Sequence, residues 1–136
     1  MKNTHSLLLL LVFFASMECY AGANEDLFAA CKGGDLAKAT AAITAGADVN
    51  SLDAGNPPIA SAFLWPDITK LLLDKGADPN LGEYPALVQA ATFYSTEVIK
   101  LLLAAGADPN KPGKTNPGAT FKSLIEKEKA KGKDGN

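Results

Sequence analysis

The sequence predicts an all-α solenoid of stacked helix-turn-helix units with projecting hairpin loops. The first observation is an internal repeat: the pattern Gly-Ala-Asp-x-Asn occurs at residues 46–50, 76–80 and 106–110, thirty residues apart each time. The second is that an apolar run precedes each copy, as residues 71–73 precede the second. The third is composition, since Ala and Leu dominate the apolar residues and favour helices over sheets. Similarity at a fixed period of this length is typical of repeat solenoids.

The 136 residues allow a single domain with an uneven distribution of charge. Residues 24–110 carry five Lys against eleven Asp or Glu, whereas residues 111–136 carry seven Lys against three acids. Arg is absent, so the bidentate phosphate contacts of most nucleic-acid-binding proteins are missing. The sequence therefore predicts an acidic body with a basic tail, and no nucleic-acid partner.

Residues 1–23 have the pattern of a cleavable secretory signal. A basic start precedes an apolar run of nine residues at 7–15, and small residues stand at −3 and −1 from a cut after Ala23. A cut after Ala21 is the alternative. The run is shorter than the roughly 20 apolar residues that span a bilayer, which disfavours a membrane anchor. We expect an exported protein, periplasmic or secreted, without stable membrane insertion.

A lipid anchor on Cys19 is disfavoured because Glu18 stands where a lipoprotein signal needs a small residue. Removal of the signal also removes His5, the only histidine, and leaves Cys31 as the only cysteine. Cys31 is interpreted as a buried core residue, with a reactive thiol or an intermolecular disulfide as the alternative.

No catalytic, cofactor-binding or metal-binding residue is assigned from the sequence. Without histidine in the mature chain, Ser-His, Cys-His and His-metal sites cannot form. Asp48, Asp78 and Asp108 recur, but equivalent residues of stacked units lie one repeat apart and do not converge on one ion. We expect a non-enzymatic protein.

The first repeat unit indicates where its helices begin and end. Asn24 is predicted to cap a helix that runs to about residue 32, and Asp35 a second helix over about 36–45. Gly46 is expected to end that second helix, because glycine readily takes the left-handed conformation of a C-cap. In the following loop, the side chains of Asp48 and Asn50 are expected to form hydrogen bonds with nearby backbone amides.

These residues resemble ankyrin repeats of a small, exported, bacterial-type protein. Residues 26–36 followed by 45–50 are similar to the start of such arrays, and residues 97–110 match the family's second helix and hairpin nearly position for position. The family's usual Thr and His are missing around Pro57 and Pro85, so the hydrogen bonds that they supply between repeats are expected to be absent. The resemblance covers roughly residues 24–125.

The second repeat departs from this pattern in two places. Its preceding hairpin, around residues 51–56, is about two residues longer than the next hairpin. The segment between its helices, around residues 63–67, is about two residues shorter, so the spacing of thirty hides two opposite changes. Pro66 is tolerable there because the first helical position needs no amide proton.

The domain organisation follows from these units. After the signal, the repeat domain covers residues 24–126, with a last helix at about 119–131 that places Phe121, Leu124 and Ile125 on one face. A basic flexible tail is expected at 127–136. The repeats within the domain are expected at residues 24–54, 55–84 and 85–114, with a partial capping repeat at 115–126.

The resemblance implies that a protein partner binds at hairpin tips and at exposed positions of the first helices, with the chain a monomer. Trp65 and Tyr94 rank first, because such side chains dominate many interfaces, although Trp65 packing locally is an equal alternative. The candidates are Leu52, Asp53 and Asn56 in the first hairpin, Leu81, Glu83 and Tyr84 in the second, and Trp65, Gln89, Phe93 and Tyr94 in the helices.

Two function classes remain open at this point. The first is an exported binding module, such as an inhibitor, an immunity-type neutraliser or an accessory to an exported enzyme; acidic groups facing the partner would favour a basic target. The second is an envelope-associated structural adaptor that uses the basic C-terminal tail.

Overall fold

The computed structural model describes residues 22–114 and 120–131, which form seven α-helices. Within these residues there is no β-strand, and an isolated β-bridge joins Asp53 to Asn56. The all-α repeat fold predicted from the sequence is confirmed. The helices are α1 (22–33), α2 (Leu36–Thr44), α3 (Pro58–Ser61), α4 (Pro66–Asp74), α5 (Ala86–Thr92), α6 (Thr96–Ala104) and α7 (Phe121–Lys131).

The helices pack in two rows. Helices α2, α4 and α6 contact one another in succession, and so do α3, α5 and α7, while α3 packs on α4 and α5 on α6. We call α1, α3, α5 and α7 the inner helices and α2, α4 and α6 the outer helices. The loops that join an outer helix to the next inner helix are the hairpins. We call the side formed by the inner helices and hairpins the inner face.

The hydrophobic core runs continuously between the two rows. Every unit contributes to it, so a single unit could not bury its apolar face alone. Each fully buried Leu, Ile or Val contributes roughly 1.5–3 kcal/mol to the free energy of unfolding. The largest apolar core side chains, all less than 2% exposed, are Leu27, Cys31, Ile59, Ile68, Leu72, Leu87, Val98 and Leu102.

The predicted ends of α2 are confirmed. The side chain of Asp35 accepts a hydrogen bond from the Lys38 amide at 3.0 Å, and this bond lowers the pKa of the Asp35 carboxyl. At the other end Gly46 has a φ of +100°, and its amide donates to the Ile43 carbonyl at 3.0 Å. The equivalent glycines of the next two hairpins also have positive φ.

The prediction that Asn24 caps α1 is wrong. The helix includes residues 22 and 23, so Asn24 lies inside it. Its Oδ1 accepts a hydrogen bond from the amide of Asp48 at 2.8 Å, which ties α1 to the first hairpin. Ala23 is 5% exposed and belongs to the core.

The shortening of the second repeat falls in its inner helix instead of the turn. Helix α3 has four residues against seven in α5, whereas the turns that follow, residues 62–65 and 93–95, differ little. The end of α3 is held by the Ala62 carbonyl, which accepts from the Trp65 amide at 2.9 Å and from the buried Thr69 hydroxyl at 3.1 Å. Pro66 occupies the first turn of α4, as predicted.

Helix α7 begins with a reciprocal capping arrangement. Thr120 Oγ1 accepts from the Ser123 amide at 3.1 Å, and Ser123 Oγ accepts from the Thr120 amide at 3.0 Å. Phe121 packs against the core and Leu124 is half-buried, while Ile125 lies at the edge and is 37% exposed. One face of α7 therefore covers the last repeat.

Some predicted segments lie outside the described residues. These are the signal up to residue 21, the loop at 115–119 and residues 132–136 of the tail. The prediction of a flexible tail from residue 127 is wrong for residues 127–131, which belong to α7. Among the helices of the described part, none is both long enough and apolar enough to cross a membrane.

Candidate functional site

The repeated Asp residues shape their own hairpins. The carboxylate of Asp48 accepts the amide of Asn50 at 2.8 Å, and the second and third hairpins repeat this bond at the same distance. The predicted local bond is confirmed for Asp48, whereas the same prediction for Asn50 is wrong, because its side chain bonds the next unit. The three carboxylates thus have a structural role, one in each unit.

The repeated Asn residues reach forward to the next unit, which the sequence analysis missed. Asn50 Oδ1 accepts from the Asp78 amide at 2.8 Å, and its Nδ2 donates to the Gly76 carbonyl at 3.1 Å. Asn80 makes the same pair of bonds with the third hairpin, at 2.7 and 2.9 Å. Hydrogen bonds between repeats therefore exist in this chain, although they do not come from the family's usual Thr and His. The fixed offset of Asn from each Gly-Ala-Asp was the available signal.

The longer first hairpin closes in a tight turn. Asp53 and Asn56 exchange two backbone hydrogen bonds of 2.9 Å, and the central residues Ala54 and Gly55 have φ of +48° and +81°. These are the features of a type I′ turn. The Asn56 side chain accepts the Tyr84 amide at 2.9 Å, so this predicted contact residue also holds the second hairpin.

Two of the hairpin acids are paired with lysines, one of them in the next unit and the other in the same unit. Glu83 and Lys114 are 2.7 Å apart, and the hydrogen bond and charge of Glu83 raise the pKa of the Lys114 ammonium. Asp53 lies 3.6 Å from Lys32 of α1. All four side chains are well exposed, and pairs of this kind are weak. A partner can therefore replace either lysine at little cost.

Trp65 packs locally, which is one of the two alternatives that the sequence left open, and it is also partly exposed. Its indole lies against Gly34, where an added β-carbon would come within 2.5 Å of ring atom Cε2. The side chain is nonetheless 38% exposed. Trp65 therefore packs on the first repeat with one face and remains available to a partner.

The turn after α5 projects two aromatic side chains. The ring of Phe93 stacks on Phe63, with centroids 4.7 Å apart and an angle of 31° between planes, and Phe93 is 53% exposed. Tyr94 is 72% exposed and has a φ of +57°, a backbone conformation that residues other than glycine rarely adopt.

Glycine occupies the place of Tyr94 in the first repeat. The Asp35 amide bonds the Ala30 carbonyl at 3.0 Å, as the Ser95 amide bonds the Ala90 carbonyl at 2.8 Å, which aligns Tyr94 with Gly34. A left-handed conformation costs an L-residue roughly 1–2 kcal/mol relative to glycine. The fold therefore needs this backbone conformation in both units, and tyrosine at position 94 lowers stability relative to glycine.

Two depressions lie side by side on the inner face, and Lys32 lines both. The central depression, about 370 Å³, is lined by Lys32, Asn56, Ala60, Ser61, Phe63, Leu64, Trp65, Tyr84 and Gln89. The N-terminal depression, about 460 Å³, is lined by Asn24, Glu25, Phe28, Ala29, Lys32, Ser51, Leu52 and Asp53.

These depressions bring together six of the ten predicted site residues. Phe93 adjoins the central depression through Phe63, whereas Leu81, Glu83 and Tyr94 line neither one. The expectation that four candidates are helical is correct for Gln89 alone, because the others lie in turns. The six are Asn56, Trp65, Tyr84 and Gln89 in the central depression, and Leu52 and Asp53 in the N-terminal one.

Several lining residues were missed by the sequence analysis. Phe63 and Leu64 adjoin Trp65 in the chain, and this apolar run in a turn was a usable signal. Lys32 and Glu25 gave no signal, because a charged residue on a helix is usually a solvated one. Phe28, 8% exposed, gave no signal either, because it lies within a run of apolar residues that indicates a core position.

The groups on the inner face are suited to non-covalent contacts. Among the described residues, no group of three or more His, Cys, Asp or Glu side chains is placed to hold a metal ion. Cys31 is buried in the core, and burial raises the pKa of its thiol to about 12. The inner face offers aromatic and aliphatic surface, amide and hydroxyl groups, and weakly paired charges.

Comparison with known proteins agrees with this architecture. A family model described as ankyrin repeats, in three copies, matches residues 27–112. This range covers more than half of the chain, including α2 to α6 and most of the residues lining both depressions. No curated protein matches the chain.

Proposed function

Since this chain belongs to the ankyrin-repeat family, whose repeats indicate a protein–protein interaction module, we propose that it is an exported, non-enzymatic protein that binds a protein partner on its inner face and hairpin tips. Acting there as an inhibitor, an immunity-type neutraliser or an accessory protein, it needs no cofactor. Its place of action is the periplasm or the exterior of the cell, and it binds as a monomer.

The observation that carries the proposal is Tyr94. Its side chain is 72% exposed in a backbone conformation that favours glycine, and glycine stands at the equivalent position 34. Backbone strain of this kind concentrates at functional sites. Within the described residues no hydrogen bond of the Tyr94 hydroxyl offsets the cost. A partner that contacts the side chain gives a reason for retaining it.

Other exposed apolar side chains of the inner-helix turns and the first hairpin support the same proposal. Leu64, Trp65 and Phe93 are 47%, 38% and 53% exposed, and Leu52 at the first hairpin tip is 57% exposed. Trp and Tyr are enriched among the residues that dominate binding energy at interfaces. Exposed apolar side chains gathered on one side of a small protein are typical of an interaction surface.

The test begins with affinity capture by the full chain from its native envelope fraction, with bound proteins identified by mass spectrometry. The variant Tyr94→Gly removes the side chain and suits the backbone conformation, so it should keep or raise the melting temperature. Its affinity for the captured partner should fall at least tenfold. The loss of a dominant contact is worth about 2 kcal/mol or more. Trp65→Ala should weaken both binding and stability.

The control is Leu36→Ala, which removes from outer helix α2 an apolar side chain whose exposure, 42%, is similar to that of Trp65. It should bind the partner normally. If Tyr94→Gly binds as well as the natural chain, the proposed surface is wrong. Full affinity of Trp65→Ala with a lower melting temperature would leave Trp65 a packing role alone.

The alternative function is an envelope-associated adaptor, and the exposed lysines of α7 favour it. Lys122, Lys127 and Lys129 all face solvent. Because α7 continues to Lys131, deleting residues 127–136 would remove part of a helix. Replacing Lys127 and Lys129 by Gln keeps the helix. Unchanged location and unchanged partner binding in that variant would eliminate the adaptor.

A further inference from the structure

The two adjacent depressions differ in chemistry. We propose that they take one segment of the protein partner, with a Lys or Arg side chain in the N-terminal depression and a neighbouring apolar or aromatic side chain in the central depression. This inference rests on the proposed function, and it specifies the kind of segment that the partner presents.

The N-terminal depression suits a side chain with an apolar stem and a cationic head. Phe28, nearly buried, and Leu52, at the hairpin tip, supply the apolar surface. Glu25 and Asp53 supply two exposed carboxylates on its lining. Long basic side chains lay their methylene groups on apolar surface and keep the charged group at a polar edge.

The charges in the N-terminal depression are unbalanced. Lys32 is the only cationic residue lining it and lies 3.6 Å from Asp53, a long and exposed pair. Within residues 22–114 and 120–131, no lysine forms an ion pair with Glu25. Two carboxylates and one ammonium group leave a net charge of −1, so Glu25 attracts an incoming cation.

The central depression begins where the N-terminal one ends, because Lys32 lines both. Its walls include Phe63, Leu64 and Trp65, and the amide of Gln89 lies among them. Such a surface favours an apolar or aromatic side chain with backbone groups that hydrogen-bond at the rim. No carboxylate lines this depression to offset the Lys32 ammonium, which disfavours a cation here and assigns the basic side chain to the N-terminal depression.

The charge of the repeat body favours the same partner. Residues 24–110 carry five Lys against eleven acids, which draws a basic segment towards this face and repels an acidic one. An acidic segment or an uncharged apolar segment are the competing occupants. The experiment distinguishes among the three.

The probes are short peptides, acetyl-Arg-Phe-amide and the versions with one or two glycines between the residues. Matched peptides carry citrulline, an uncharged analogue of Arg, or Glu in place of Arg. Trp65 is the only tryptophan of the chain and lines the central depression, so its fluorescence reports binding without a label. The full chain is titrated at low ionic strength and again at high salt.

We expect at least one Arg peptide to bind about two- to fivefold more tightly than its citrulline counterpart, with the difference lost at high salt. Glu25→Gln should remove that preference. Lys32→Gln, which removes the competing ammonium, should increase it. Asp26→Asn, a neighbouring acid outside both depressions, should leave it unchanged.

Equal binding of the Arg and citrulline peptides overturns the inference, as does a preference that survives in Glu25→Gln. Tighter binding of the Glu peptide assigns an acidic occupant instead. Failure of every peptide to bind also overturns it. None of these results affects the capture experiment with Tyr94→Gly, which decides the proposed function separately.

Discussion

The indole of Trp65 lies so close to the backbone of Gly34 that three of its ring atoms would stand 2.5–2.7 Å from a β-carbon at residue 34. Gly34 also has a φ of +74°, in the left-handed region. The contact joins the helix turn of the first repeat to the residue that precedes α4. Glycine is thus required at this position for two independent reasons.

We therefore predict that Gly34→Ala lowers the free energy of unfolding by about 2–4 kcal/mol, from the backbone cost and the displaced ring together. Urea unfolding followed by Trp65 fluorescence measures the effect, and the spectrum of the folded variant should shift because the ring moves. Gly33→Ala is the control. No heavy atom lies within 4 Å of the added β-carbon there, so stability should be unchanged or slightly higher. Equal effects at both glycines would contradict the prediction.

The asparagine bonds between repeats give a graded prediction. Asn50→Ala removes two hydrogen bonds to the next hairpin, whereas Asn24→Ala removes one. At about 1 kcal/mol for each bond, we expect losses of about 2 and about 1 kcal/mol in the free energy of unfolding. Thermal and urea denaturation of both variants measure the losses. A larger loss for Asn24→Ala than for Asn50→Ala would refute the assignment.

The first hairpin contains a residue that the turn disfavours. Ala54 takes the first central position of a type I′ turn with a φ of +48°, where Asn followed by Gly is preferred. Ala54→Asn should raise the free energy of unfolding by about 0.5–1 kcal/mol, because asparagine tolerates this conformation better. The same change at Ala37, exposed within α2, should lower stability, since asparagine is the poorer helix former. A gain at both positions would indicate another cause.

The buried thiol of Cys31 gives a prediction for alkaline pH. Burial raises its pKa from 9.0 to about 12, so in this range the thiol ionises first in the unfolded chain. Its contribution to stability is complete below pH 9 and is lost between pH 9 and 12. From pH 8 to pH 10 the natural chain should lose about 1 kcal/mol more than Cys31→Ala.

Two measurements check this. Denaturant unfolding of both chains at the two pH values gives the difference, in which the titration of lysines and tyrosines cancels. Alkylation by iodoacetamide at pH 8 should be slow in the folded chain and fast in denaturant. Rapid alkylation of the folded chain would show a reactive thiol instead of a core residue.

Much of the candidate site could be proposed from the sequence, because binding surfaces in repeat arrays occupy the variable positions between the repeated ones. Trp65 was identified as a residue that packs locally or contacts a partner, and six candidates do line the two depressions. Glu25, Phe28 and Lys32 were not identified. Each is a typical helix residue when only α1 is considered. It lines a depression only because the first hairpin packs beside that helix.

The sequence by itself determined the repeat, the all-α class and the two ends of α2, because these depend on neighbours within a few residues. Asp35 caps a helix and Gly46 ends one through preferences of the local backbone. Tertiary structure alone decided the partner of Asn24, 24 residues away, and the contact of Trp65 with Gly34. It also paired Glu83 with Lys114, which lies 31 residues on. Stacking brings such residues together, and no local preference encodes which side chains then meet.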